Sequence, residues 1–110
     1  MDDLQKEITA ELTIELQDEV GFNADILANK VKNAIREVKL VRNYGATNYT
    51  DEQINEDIVK FYSVIMNLAR YDYNMLGAEG QTSHSENGIS RNYVSRESLL
   101  ANVTPFIDVL

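Results

Sequence analysis

The chain reads as an all-α protein, a small helical bundle around one long central helix. Three observations predict it. Apolar residues recur at helical spacing in three successive stretches. The strongest of these opens on a capping box, Thr50-Asp51-Glu52-Gln53. The stretches are separated by polar runs that hold Gly or Asn where helices stop. At 110 residues the whole chain, 1–110, is expected to form a single domain. A chain of this length buries roughly two-thirds of the surface its unfolded form exposes, which supports one core and not two.

The first helix is expected over about 3–19, where Leu4, Ile8, Leu12 and Leu16 stand four residues apart and keep a broad apolar stripe. Thr9, Thr13 and Ile14 are β-branched and weaken its second half, and Gly21 suits the position just past its end. Asn23 or Asp25 caps the second helix, 24–42. Leu27, Val31, Ala34, Ile35, Val38 and Val41 form its apolar face, while Lys30, Lys32, Arg36 and Lys39 lie largely off it.

After a loop at 43–48, Thr50 accepts from the first-turn amides of a third helix and Gln53 reaches back. Asp51 and Glu52 suit the positive end of the helix dipole. Ile54, Ile58, Phe61, Tyr62, Ile65, Leu68, Ala69 and Leu76 then hold one face over about seven turns, which makes 51–76 the expected spine. Residues 77–95 offer only Ile89, Tyr93 and Val94 for burial and form a long loop, in which Asn87-Gly88 offers a short hairpin turn. Ser95 caps a last short helix, 96–103, and Pro105 stops it before the tail Phe106-Ile107-Asp108-Val109-Leu110.

Charge excludes some functions. With 10 basic and 18 acidic side chains the net charge is −8. General nucleic-acid binding is not expected, because neutralising phosphates takes clustered Lys and Arg. The charge is also segregated. Residues 1–19 hold seven acids and one base, whereas residues 20–42 hold five bases and two acids. An acidic segment beside a basic one can pair within a subunit or between subunits. The chain has no cysteine, so neither a disulfide framework nor a thiolate zinc site is open to it. The start Met1-Asp2-Asp3-Leu4-Gln5-Lys6-Glu7 lacks the basic and apolar regions of a signal peptide. No run approaches the roughly 18 apolar residues of a membrane span. A soluble protein made in the cytoplasm, with no membrane partner, is expected.

Nothing in the sequence assembles a catalytic group. His84 is the only histidine and sits between Ser83 and Ser85 in the long loop, without a Gly-x-Ser-x-Gly elbow. An enzyme built around His84, Glu79 and Glu86 is the weakest of the readings. The acidic pairs Asp2-Asp3, Asp51-Glu52 and Glu56-Asp57 diverge by about 100° on a helix and do not converge on one ion. No P-loop, EF-hand or dinucleotide pattern occurs, so no metal or cofactor is expected. Asn48-Tyr49-Thr50 and Asn102-Val103-Thr104 match the glycosylation acceptor pattern, which carries no meaning without secretion. Tyr71, Tyr73 and Tyr93 divide evenly between core and interface roles.

One stretch carries a resemblance. It reads Arg70-Tyr71-Asp72-Tyr73-Asn74 and then Gly77-Ala78-Glu79-Gly80-Gln81-Thr82-Ser83-His84-Ser85-Glu86-Asn87-Gly88-Ile89-Ser90-Arg91. With Asn33-Ala34-Ile35-Arg36-Glu37-Val38 and Arg42-Asn43-Tyr44, it resembles the head–tail connector proteins of tailed bacteriophages, the small helical adaptors of head completion. The resemblance covers about residues 23–105. It implies a helical virion subunit that assembles as a dodecameric ring beneath the portal protein, extends the DNA channel and offers a platform to a stopper or tail-completion protein. Genomic DNA would pass through without sequence-specific binding, and an acidic lumen would let it slide.

A ring needs a heterologous interface, one face meeting a different face of the neighbour. Lys32 and Arg36 on the basic helix are candidates for such a contact with the acidic residues 1–19. Tyr71 and Tyr73 are candidates on the long helix, and His84, Glu86, Asn87, Arg91 and Tyr93 in the loop, whose polar character suits a segment ordered by partners. Phe106 in the tail either packs on its own core or inserts into the portal. The alternative is an acidic helical regulatory module that acts on a protein partner, which predicts a stable monomer or dimer.

Overall fold

The computed structural model describes residues 2–78 and 96–107, and every regular element among them is helical. The all-α bundle expected from the sequence is what the chain forms. Helix α1 is Asp2–Leu16, α2 is Ala24–Arg42, α3 is Asp51–Ile58, α4 is Tyr62–Ala78 and α5 is Arg96–Leu100. The bundle is centred on α2 and α4, which pack together most extensively. Helix α1 lies against both, and α5 against α4.

The four-residue stripe of α1 does what its spacing suggests: Leu4, Ile8, Leu12 and Leu16 are all buried. Thr9 and Thr13 are accommodated by donating their hydroxyls to the carbonyls of Gln5 and Thr9, both at 2.7 Å. The helix stops at Leu16, short of the expected 19. Glu15, Asp18 and Glu19 crowd the negative end of its dipole, and no basic residue stands in the last turn to offset them. The chain then turns through Glu19 N–H to Leu16 O (3.0 Å) and Phe22 N–H to Glu19 O (3.2 Å). Gly21 takes φ +82°, a value that a side chain at this position would make costly.

Asn23, not Asp25, caps α2: its side-chain oxygen accepts from Ile26 N–H at 3.0 Å. The apolar face follows the expected spacing, with Leu27, Val31, Ala34, Ile35 and Val38 buried. Asn43 ends the helix in the left-handed region, φ 63° and ψ 55°, and donates its N–H back to Lys39 O. A 3₁₀ turn, Tyr44–Ala46, leads to the capping box. Thr50 N–H donates to Gln53 Oε1 at 2.8 Å and Gln53 N–H to Thr50 Oγ1 at 3.2 Å.

The expected spine is realised as two helices, α3 and α4, joined by a 3₁₀ turn at Val59–Phe61. Each 3₁₀ residue advances about 120° instead of 100°, so three of them turn the following face by about 60°. That offset lets α3 bury Asp57 together with Ile58, while α4 buries Ile65, Leu68 and Ala69. Helix α5 is shorter than the expected 96–103, but Leu99 and the following Val103 are both buried. Gly77 and Ala78 complete α4. The rest of the expected loop, with its Asn87-Gly88 turn, lies outside the described residues. No helix is long and apolar enough to cross a membrane among the described residues.

Candidate interaction surface

Three arginines tie the helices together, and the cations left over define the surface. Arg42, in the last turn of α2, donates from Nε to Asp57 Oδ2 at 2.9 Å and from Nη2 to Asp57 Oδ1 at 3.2 Å. Tyr44 donates its hydroxyl to the same Oδ2 at 2.6 Å, and Lys60 Nζ lies 3.2 Å from Oδ1. Asp57 is 5 % exposed, and its carboxyl is held well below the usual carboxylate range. The Arg42 hydrogen bonds are the main cause, helped by Tyr44 and Lys60 against the opposing effect of burial. Burial and the bond to ionised Asp57 push the Tyr44 hydroxyl upward.

This junction also fixes Thr104 and Phe106. Arg42 donates from Nη1 to Thr104 O at 2.5 Å, Phe106 N–H donates to Arg42 O at 2.9 Å, and Asn43 Nδ2 to Phe106 O at 3.0 Å. The guanidinium sits 3.9 Å from the centre of the Phe106 ring, which also meets Tyr44 and Tyr49. Cation–π attraction and main-chain bonding therefore hold Phe106 on its own bundle.

Arg96 opens α5 and grips two helices at once. It reaches Glu37 of α2 at 2.6 and 2.8 Å and Asp72 of α4 at 2.6 and 2.8 Å. Its hydrogen bonds draw the Glu37 carboxyl below its ordinary value. Arg70 of α4 pairs with Glu15 of α1 at 2.6 and 3.0 Å.

The remaining charges on α1 and α2 behave differently. Lys32 and Arg36 are exposed on the side of α2 opposite its buried face, and Leu40 follows at the same four-residue spacing, 75 % exposed. None of Lys30, Lys32, Arg36 and Lys39 makes an ion pair among the described residues, and neither do Asp3, Glu7 and Glu11 on α1. Among the described residues, the acidic and basic segments thus lie in one subunit without an ion pair between them. Where Arg36 and Leu40 end, a shallow cleft of about 660 Å³ opens, floored by Tyr44, Ile54 and Leu40 and edged by Lys39 and Asp51. Ile14 (72 % exposed) and Val20 (fully exposed) are apolar side chains left in water on and just after α1.

Of the residues that the sequence marks as contact candidates, Lys32 and Arg36 stand free on one helix face. Tyr71 and Tyr73 are half-buried against the core, and the Tyr73 hydroxyl accepts from Asn23 N–H at 2.9 Å. Phe106 is half-buried at the Arg42 junction. His84, Glu86, Asn87, Arg91 and Tyr93 lie outside the described residues, as does Glu79.

The sequence reading passed over Leu40, an apolar residue off the α2 stripe, and Val20, which continues the four-residue spacing of α1 beyond the point where the helix stops. It gave no role to Arg42, Asp57 or Arg96, because the bonds that join them span 15 to 59 residues. No group of three or more His, Cys, Asp or Glu side chains that could hold a metal ion occurs among the described residues. No protein-family model, curated protein or solved structure matches the chain.

Proposed function

We propose that the chain is a head–tail connector of a tailed bacteriophage, a non-catalytic virion subunit. It assembles as a ring under the portal protein, extends the DNA channel and receives a stopper or tail-completion protein. The observation that carries this reading is the run from Arg70 to Arg91, with Asn33–Val38 and Arg42–Tyr44 before it, which resembles that family. The all-α bundle is compatible with it. The unpaired charges give it physical support. A subunit that keeps Asp3, Glu7 and Glu11 apart from Lys32 and Arg36 holds two unlike faces ready for a head-to-tail contact, which a ring requires. DNA would traverse the ring without base contacts, since the chain carries −8.

The test is the native mass of the purified protein over a wide concentration range, alone and with portal rings. A closed species of about a dozen subunits, formed alone or on the portal, supports the connector. A stable dimer that never grows and ignores the portal overturns it in favour of an acidic regulatory module.

A further inference from the structure

We infer that the subunit contact of this assembly is α1 of one copy laid parallel along the outer face of α2 of the next. The inference rests on the ring reading above and names the surface that reading leaves open. Along α2, Lys32, Arg36 and Leu40 occur at steps of four and four residues, so at 1.5 Å per residue they stand at about 0, 6 and 12 Å. Along α1, Glu7, Glu11 and Ile14 occur at steps of four and three, at about 0, 6 and 10.5 Å. Set side by side in the same direction, two carboxylates meet two cations and the exposed Ile14 meets the exposed Leu40, in register to within about 1.5 Å.

The α2 stripe faces away from its own core, and the α1 stripe flanks its core: burial, and then the nearby charges of Glu11 and Glu7, push the Tyr62 hydroxyl of α4 upward. The buried residues of α2 (Leu27, Val31, Ala34, Val38) are centred about 150–180° from Arg36, and those of α1 (Leu4, Ile8, Leu12, Leu16) lie on the far side from Ile14. All six side chains are exposed among the described residues, so both stripes are available while the bundle stays intact. The opposite direction fails, because it sets Ile14 against Lys32 and leaves Leu40 beside Glu7. Beyond Ile14 the neighbour's chain reaches the turn that carries Val20, and beyond Leu40 lies the cleft floored by Tyr44 and Ile54. Val20 then enters that cleft, which removes a fully exposed apolar side chain from water. The two faces differ, so each subunit offers one and uses the other. The contact propagates and closes only if the rotation per copy allows it.

Charge swapping tests the pairing. The Lys32→Glu/Arg36→Glu variant and the Glu7→Lys/Glu11→Lys variant are each expected to lose self-association by at least tenfold in apparent Kd. Mixed in equal amounts they are expected to recover it, because the reversed α2 of one accepts the reversed α1 of the other. The chain has no cysteine, so Ile14→Cys/Leu40→Cys gives an independent reading. Oxidation should produce a covalent ladder between copies, and neither single variant should. Recovery on mixing with a ladder that closes near a dozen supports both the contact and the connector. Recovery with chains that grow without closing, or stop at two, supports the contact and overturns the connector. Rings that ignore both reversals and give no ladder overturn the contact and leave the connector standing. A monomer at every concentration and on the portal overturns both.

Discussion

Helix α2 carries two kinds of cation, and the contrast between them separates folding from recognition. Arg42 at its end is 14 % exposed and makes two bonds to Asp57, one to Thr104 O and a stack on Phe106. Lys32 and Arg36, six and more residues earlier, face water and make no ion pair among the described residues. Composition treats them alike. Position decides: the last turn of α2 meets α3 and Phe106, whereas the middle of its outer face is exposed and makes no ion pair among the described residues. A cation that holds the bundle should therefore move stability when it or its partner is changed, and one kept for a neighbour should not.

The largest effect is expected from Asp57→Asn. The substitution keeps the side-chain shape but removes the charge, leaving the Arg42 guanidinium largely buried without its counter-ion. Breaking a buried pair from one side costs about 3 kcal/mol, which in a domain this small lowers Tm by more than about 10 °C. Urea unfolding measures it, and a loss below about 1 kcal/mol would show the junction to be dispensable. The pH dependence follows from the same group. Its folded pKa is depressed, whereas the unfolded carboxyl titrates near 3.8. The stabilisation is complete above about pH 4 and is lost as the pH falls below that value toward the folded pKa. Acid unfolding of the wild type should therefore steepen below about pH 4, and Asp57→Asn should flatten that limb.

Arg96→Ala comes next, at about 1–2 kcal/mol. Four contacts of 2.6–2.8 Å join α5 to α2 and α4. However, the Arg96 and Glu37 side chains are about one-third exposed, so water and salt screen them. The same comparison gives the control: raising salt to about 1 M should shrink the Arg96 effect markedly and the Asp57 effect little, since screening reaches exposed pairs first.

These two junctions also mark where sequence reasoning stops. The helix stripes, the capping box at Thr50 and the breaks near Gly21 and Asn43 were readable because each depends on residues within four or five positions of one another. The split of the expected spine at Val59–Phe61 was not, because the Asp57–Arg42 pairing that goes with it joins residues 15 apart, and nothing local to 51–76 announces it. For the same reason Asp57 stood out only as half of the pair Glu56-Asp57, which does not converge on one ion. The basic face of α2 was legible as a pattern, and Lys32 and Arg36 do lie on it. Leu40 was legible in the same way, as an apolar residue off the α2 stripe, whereas the exposure of Val20 follows from α1 stopping at Leu16, which its continuing four-residue spacing does not announce.

Phe106→Ala tests the tail between these extremes. The ring loses its place over Arg42 and its contacts with Tyr44 and Tyr49, but the main-chain bonds to Arg42 O and Asn43 persist. A loss of about 1 kcal/mol is expected, the range of a cation–π and aromatic contribution at a half-exposed site. A variant with unchanged stability and lost portal binding would instead move Phe106 to the recognition side of the comparison.

The smallest effect should come from Lys32→Glu/Arg36→Glu measured on dilute, monomeric protein. The two residues stand mid-helix, away from both dipole ends, and the changed side chains touch no buried group. Lys32 and Arg36 are already like charges at i, i+4, so reversing both leaves that repulsion about unchanged, and glutamate matches lysine and arginine as a helix former. Unfolding should therefore shift by no more than about 0.5 kcal/mol. The value of so small a number is that it makes the loss of association attributable: a variant that folds as well as the wild type and no longer assembles has lost a face, not a fold. A loss near that of Asp57→Asn would mean that Lys32 and Arg36 also hold the bundle, and the two classes of cation on α2 would collapse into one.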